Sequence, residues 1–208
     1  MEDVLSVYKR PDDPRRPQLC VDEMSKQLVG EVRPALALGP GHPSRQDHEY
    51  VRQGVVNLFM VAQPLTGRIQ VKVTSRRTKI DWAELMKTVV DDYYPAAETM
   101  VLVQDNLNTH DKSSLYEAFP PAEAKRIADQ LEIHYTPKHG SWLNIAECEL
   151  SVLNRQCRDR RLPDLETLTA EVEQWTADRN QNLAPVVWHF TTEKARIKLK
   201  RLYPTLQN

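Results

Sequence analysis

A short segment at 99–105, T-M-V-L-V-Q-D, most restricts how this chain folds, because its apolar run is continuous and ends in an acid. An apolar run of this length, bounded by polar residues, is typical of a strand buried on both faces of a sheet. A carboxylate at the end of such a strand is costly unless it is paired, hydrogen-bonded or bound to a cation. The segment therefore predicts a buried strand that ends in Asp105.

The segments around this strand predict a mixed sheet covered by helices. Alternating or β-rich patterns predict strands at 18–24, 54–65, 68–75 and 131–135, with a loop or arm at 32–45. Helical spacing of apolar residues predicts helices at 78–94, 115–130 (broken at Pro120-Pro121), 141–157, 164–179 and 191–202. The resulting order, β-β-β-α-β-α-β-α-α, favours an α/β fold of the ribonuclease H-like (retroviral integrase-like) type, with helices on both faces.

The chain divides into three predicted parts. Residues 1–17 carry Pro11, Pro14 and Pro17 among charged residues, which predicts an irregular, linker-like lead-in. Residues 18–190 hold the predicted sheet and form the core. Residues 191–208 predict a basic helix packed on or beside that core.

The composition excludes several classes of protein. Its 28 Lys and Arg residues balance 29 Asp and Glu residues, which excludes a histone-like DNA binder but allows an enzyme with a local basic patch. Three cysteines are too few for a disulfide framework and indicate a reducing compartment. The sequence has no apolar run long enough to span a bilayer and no signal-peptide pattern at its start. We therefore expect a cytoplasmic protein.

Three acids fall where they can share one site. Asp22 lies inside the first predicted strand, Asp105 ends a later one, and Glu147 lies near the start of a helix. Glu147 shares one helical face with Asn144 and Ser151, whereas the rival Glu149 lies about 200° around the helix. Only one of these glutamates can therefore face the site. The alternative is that each acid caps a helix or a turn, which is the commoner role for an isolated strand-end acid.

Two longer motifs carry a family resemblance. The segments V-L-V-Q-D-N-L-N-T-H (101–110) and H-Y-T-P-K-H-G-S-W-L-N-I-A-E (134–147) resemble the second and third acidic motifs of DDE transposases, and L-C-V-D-E (19–23) resembles the first. The chain is most similar to bacterial insertion-sequence transposases of the mariner superfamily, which are DDE superfamily endonucleases. The likeness covers nearly the whole chain from about residue 18.

The resemblance implies that Asp22, Asp105 and Glu147 are catalytic and hold two Mg²⁺ or Mn²⁺ ions. In such enzymes one ion activates water or a 3′-hydroxyl and the other stabilises the leaving 3′-oxygen. The implied reaction is DNA cleavage and strand transfer at transposon ends. The implied partners are transposon-end and target DNA and further copies of the chain, in a dimer or larger assembly, with no membrane. The implied location is the bacterial cytoplasm, on the nucleoid when acting.

Other residues are candidates for supporting roles. Four near the acids would contact the ligands or face a phosphate: Asn106, His110, His139 and Asn144. Six basic residues would grip DNA phosphates: Lys138, Arg155, Arg158, Lys198, Lys200 and Arg201. Turn stabilisation or a solvated helix face explains both groups equally well. A zinc site at His134, His139 and Cys148 is disfavoured, because their spacing matches no usual ligand pattern.

Two departures from the family pattern leave alternatives open. Forty-one residues separate Asp105 from Glu147, more than in many mariner-superfamily members, and no helix-turn-helix domain precedes Asp22. We therefore expect a catalytic domain without its DNA-reading domain. The alternatives are an inactive remnant that binds DNA or full-length transposase, and a nuclease of the same fold that acts on RNA–DNA hybrids or junctions.

Overall fold

A five-stranded mixed sheet forms the centre of the computed structural model, which describes residues 1–33, 36–37, 39–43, 45, 47–138, 140–157 and 161–203. The strands are β1 Gln18–Glu31, β2 Tyr50–Gln63, β3 Arg68–Thr74, β4 Met100–Gln104 and β5 Leu131–Tyr135. Their spatial order is β3-β2-β1-β4-β5, and β4 runs parallel to both of its neighbours whereas β1, β2 and β3 pair antiparallel. The predicted mixed sheet is confirmed.

Helices cover both faces of this sheet. They are α1 Glu2–Val7, α2 Lys79–Thr88, α3 Ser113–Ala118, α4 Pro121–Asp129, α5 Ile145–Gln156, α6 Leu165–Gln181 and α7 Thr192–Lys198. A π-helical turn extends α2, and a 3₁₀ turn at Ser141–Leu143 precedes α5. Helices α2, α3 and α4 pack on one face, and α1, α5, α6 and α7 supply buried residues to the other. Among the described residues, no helix is long and apolar enough to cross a bilayer.

Strand β4 is buried on both faces, as its continuous apolar run predicts. All five of its residues are buried. Val101 and Val103 join the core on the α5 face, while Met100 and Leu102 join the core on the α2 face. The strand ends at Gln104, so Asp105 is the first residue beyond the sheet edge.

Strands β1 and β2 are longer than predicted and extend past the sheet as a two-stranded ribbon. β1 continues to Glu31, and β2 begins at Tyr50, with residues 50–55 exposed. On β1 the extension buries Leu28 in the core, but residues 50–55 of β2 are all exposed, so no sustained alternation of apolar and polar residues marks the ribbon in the sequence.

The lead-in at 1–17 departs from the predicted irregular linker, because it contains helix α1. Val4, Leu5 and Val7 are fully buried in the core on the α5 face. Tyr8, just after the helix, donates a hydrogen bond from its hydroxyl to the Leu143 carbonyl, at 2.5 Å. The three prolines that suggested a linker all follow this apolar turn, so they do not interrupt it.

Replacing Leu5 with Ala is expected to lower the free energy of unfolding by about 2–5 kcal/mol, because it leaves a cavity in a closed part of the core. Urea denaturation of the whole chain measures the change. Ile197→Ala is the matched control, because Ile197 lies on α7 with 79% of its surface exposed and should change stability by less than about 0.5 kcal/mol. Equal stability of the two variants would mean that α1 does not contribute to the core.

Candidate active site

The sheet and helix α5 bring three carboxylates to one cavity. Cys20 on β1 pairs with Val103 on β4 in parallel register, so Asp22 and Asp105, each two residues further on, lie side by side. Glu147 projects from the first turn of α5. All three line a cavity of about 430 Å³, together with Asn144 and Ser151 from the same helix face. Asn144, Glu147 and Ser151, which helical spacing places on one face of α5, therefore all line this cavity.

Asn144 ties the start of α5 to β1. Its side-chain amide nitrogen donates to the Val21 carbonyl at 2.9 Å and to the Asp22 carboxylate at 3.3 Å. Its side-chain oxygen accepts from the Ala146 backbone N–H, which caps the helix. The residue is 1% exposed and contacts the Asp22 carboxylate directly, as expected for a residue that supports a ligand.

The two glutamates of α5 point to different partners. Glu147 lines the cavity with Asp22 and Asp105 and is exposed there. Glu149 is half-buried against α6, where its carboxylate lies 2.6 Å from Arg179 Nη2. Of the two glutamates that the sequence left open, the geometry therefore brings Glu147 to the other two acids.

Burial is the main cause that raises the pKa of the Asp22 carboxyl to about 7. A backbone hydrogen bond from Glu23 opposes this rise, and the negative charges of Glu23, Asp105 and Glu147 contribute to it. A carboxylate in this setting is unfavourable by itself at neutral pH. It becomes favourable once a cation offsets the clustered charge.

A buried histidine lies behind this cluster. His110 Nδ1 is 2.6 Å from Asp105 Oδ1, and its Nε2 is 3.0 Å from Glu23 Oε2. Burial alone would lower the pKa of His110, but its contacts with Asp105 and Glu23 raise it to about 9. His110 is 1% exposed, so it contacts a candidate ligand carboxylate and does not face a phosphate.

Comparison with known protein families then identifies the chain. Residues 17–169 match the DDE superfamily endonuclease family. This match spans well over half of the sequence. The chain belongs to the DDE superfamily endonucleases.

Solved structures share the fold of this DDE endonuclease. The Mos1 strand transfer complex matches with a TM-score of 0.59 at 13% identity, covering 86% of this chain and 52% of the Mos1 chain. The mariner Mos1 paired-end complex with Mg matches with a TM-score of 0.55 at 14% identity, covering 86% of this chain and 53% of the Mos1 chain. The chain therefore spans about half the length of these Mos1 chains. No curated protein sequence matches it.

Two further cavities of this DDE endonuclease share Asn106, and one of them also adjoins Asp105. One, of about 550 Å³, is lined by Asp105, Asn106 and Lys138, among others. The other, of about 390 Å³, is lined by Glu23, Arg77 and Asn106, among others. Lys138 thus shares a cavity with Asp105, and Arg77 shares one with Glu23. Sequence reasoning missed Arg77 and Glu23, although the position of Glu23 next to Asp22 was a signal.

The other predicted site residues lie elsewhere. Arg155, Lys198, Lys200 and Arg201 are exposed but line none of the three cavities as described. The predictions for His139 and Arg158 fall outside the described residues.

The donor set of this DDE endonuclease fits a hard divalent cation. Asp22, Asp105 and Glu147 offer only carboxylate oxygens, the ligands that Mg²⁺ and Mn²⁺ prefer. Within the described part of the chain, no three His, Cys, Asp or Glu side chains converge closely enough to hold one ion jointly. A single ion would therefore be held by fewer than three of these groups, or by three of them after small side-chain rotations.

Proposed function

We propose that this chain is the catalytic core of a transposase, which cuts DNA at transposon ends and joins them to target DNA with divalent cations. One observation carries the proposal: three carboxylates from β1, β4 and α5 line one open cavity. Their mutual charge and the burial of Asp22 favour a cation between them.

The three carboxylates would hold two Mg²⁺ or Mn²⁺ ions. Asp22 would contribute to both, because it lines one cavity with Asp105 and Glu147. Bound divalent ions stabilise negative charge on the attacking and leaving oxygens of phosphoryl transfer. Mos1 paired-end complexes have been solved with Mn and with Mg, which supports the choice of ions.

The residues around the carboxylates would orient DNA. Lys138 shares a cavity with Asp105, and Arg77 shares one with Glu23, so a strand crossing the site would pass both basic side chains. Lys and Arg side chains contact phosphates without reading the base sequence. Asn144 would keep Asp22 and Glu147 in place while the strand binds.

The proposed partners are transposon-end and target DNA and a second copy of the chain. The Mos1 neighbours were solved as paired-end and strand-transfer complexes, which supports DNA partners and assembly on two ends. We place the reaction in the bacterial cytoplasm, on the nucleoid.

Glu147→Gln should slow Mg²⁺-dependent nicking of a transposon-end duplex by at least about 10²-fold, because the site loses a charged ligand. Glu149→Gln is the matched control and should stay within about twofold of the wild type, because Glu149 contacts Arg179 instead of the cavity. Single-turnover gel assays on duplex oligonucleotides measure both rates.

A larger loss in Glu149→Gln than in Glu147→Gln would reverse the assignment of the third acid. A wild-type chain that binds the duplex but never nicks it with Mg²⁺ or Mn²⁺ would contradict the proposed activity. That result would favour a non-catalytic, DNA-binding role.

A further inference from the structure

Two buried side chains, Glu23 and His110, reach Asp105 from the α2 face of the sheet. Side chains alternate between faces along β1, so Asp22 faces α5 while Glu23 joins Val21 on the α2 face. The Glu23 carboxylate is only 4% exposed, and its contact is His110 Nε2. Glu23 is therefore an acid beside the candidate site that the proposed metal set does not use.

Several contacts fix the position of His110. Its backbone carbonyl accepts hydrogen bonds from Gln104 Nε2 at 2.9 Å and from the Tyr135 hydroxyl at 3.0 Å. The Trp82 ring stacks over the imidazole with centroids 6.1 Å apart, and Trp82 Nε1 donates to Gln104 Oε1. The backbone of His110 is thus anchored at its carbonyl and its ring lies against Trp82, so the fold sets the direction of Nδ1 toward Asp105.

The buried Glu23–His110 pair is expected to lower the stability of the fold. Buried charged or polar groups cost stability relative to apolar residues of similar volume, even when they are paired. His110 cannot touch DNA, because only 1% of its surface is exposed. A role in holding Asp105 explains why a Glu–His pair occupies this position.

We infer that His110 is a positioning residue, which is held by Glu23 and directs the Asp105 carboxylate toward the cavity for cation binding. The inference rests on the proposed function, because it assumes that Asp105 is a ligand. Partners that orient a ligating side chain typically change metal affinity by 10–100-fold when they are lost.

Two substitutions of His110 separate its contacts. The amide nitrogen of Gln lies near the position of Nε2, so His110→Gln keeps a donor toward Glu23 and loses the one toward Asp105. The amide nitrogen of Asn lies near Nδ1, so His110→Asn does the reverse. We expect His110→Gln to weaken Mn²⁺ binding by about 10–100-fold and His110→Asn to weaken it less.

The experiment titrates the full chain with Mn²⁺ and follows free Mn²⁺ by electron paramagnetic resonance, so it needs no catalytic turnover. The matched control is His134→Gln, because His134 also bridges two carboxylates, Asp3 at 2.7 Å and Glu132 at 3.0 Å, without lining the cavity. Its Mn²⁺ affinity should equal that of the wild type. In an Asp105→Asn background, His110→Gln should cause no further loss.

Specific results would overturn the inference. Wild-type Mn²⁺ affinity in His110→Gln, or an undiminished effect of that substitution in the Asp105→Asn background, would show that His110 does not act through Asp105. If His110→Gln does not fold, Glu23→Gln replaces it, and unchanged Mn²⁺ affinity there overturns the inference equally. Failure of the wild-type chain to bind Mn²⁺ at all would instead overturn the proposed function together with this inference.

Discussion

Asp105→Asn is expected to slow Mg²⁺-dependent nicking by on the order of 10³-fold while leaving the fold intact. Asp105 is the first residue after a strand buried on both faces, so its backbone position is fixed by β4. Asn keeps the shape of the side chain but removes the charge that would hold a cation. Loss of a cation that stabilises phosphoryl transfer removes several kcal/mol, and each 1.36 kcal/mol is a factor of ten in rate.

The measurement is single-turnover nicking of a transposon-end duplex at saturating protein. Asp92→Asn is the control, because Asp92 is an exposed acid in the π-helical turn after α2 and lines none of the described cavities around Asp105. It should nick at the wild-type rate. If Asp105→Asn nicked DNA at the wild-type rate, Asp105 would not be a ligand, and the proposed site would lack its second acid.

Local sequence pattern was enough to predict several elements of the fold, including the strand that ends just before Asp105. The apolar run of β4, the proline break between α3 and α4 and the Asp164 cap of α6 each depend on neighbours in sequence. Asp164 indeed accepts a hydrogen bond from Thr167 N–H at 2.7 Å. These features follow from periodicity and capping chemistry, which a single sequence displays.

The contacts around the site depend on which strands pair and in which register. His110 was a candidate from sequence, but its contact with Glu23 arises only because β1 lies beside β4. Arg77, in the β3–α2 connection, lines a neighbouring cavity with Glu23 and Asn106, and no motif marks it. The packing of α1 was missed for a similar reason, since one apolar turn does not reveal the surface that buries it.

Asp22→Asn is expected to stabilise the cation-free chain although it abolishes nicking. Burial raises the pKa of Asp22 to about 7 in the folded chain, from an ordinary value of 3.8. Between these values the folded chain binds more protons than the unfolded chain, so stability falls as pH rises through this window. The penalty is small near pH 4 and complete above pH 7, where it reaches at most about 4 kcal/mol.

Urea denaturation of both chains in EDTA, from pH 4.5 to 8.5, measures this difference. The free energy of unfolding of Asp22→Asn should exceed that of the wild type by an amount that grows with pH, because the amide needs no proton to be neutral. Parallel pH curves would show that burial of Asp22 is not costly. Mg²⁺ should then stabilise the wild type and leave the variant unchanged, because an ion that binds only the folded chain adds its binding free energy to stability. The Asp22 carboxylate thus lowers the stability of the cation-free chain and raises it when the cation is bound. This is expected where a residue is selected for binding a metal and not for packing.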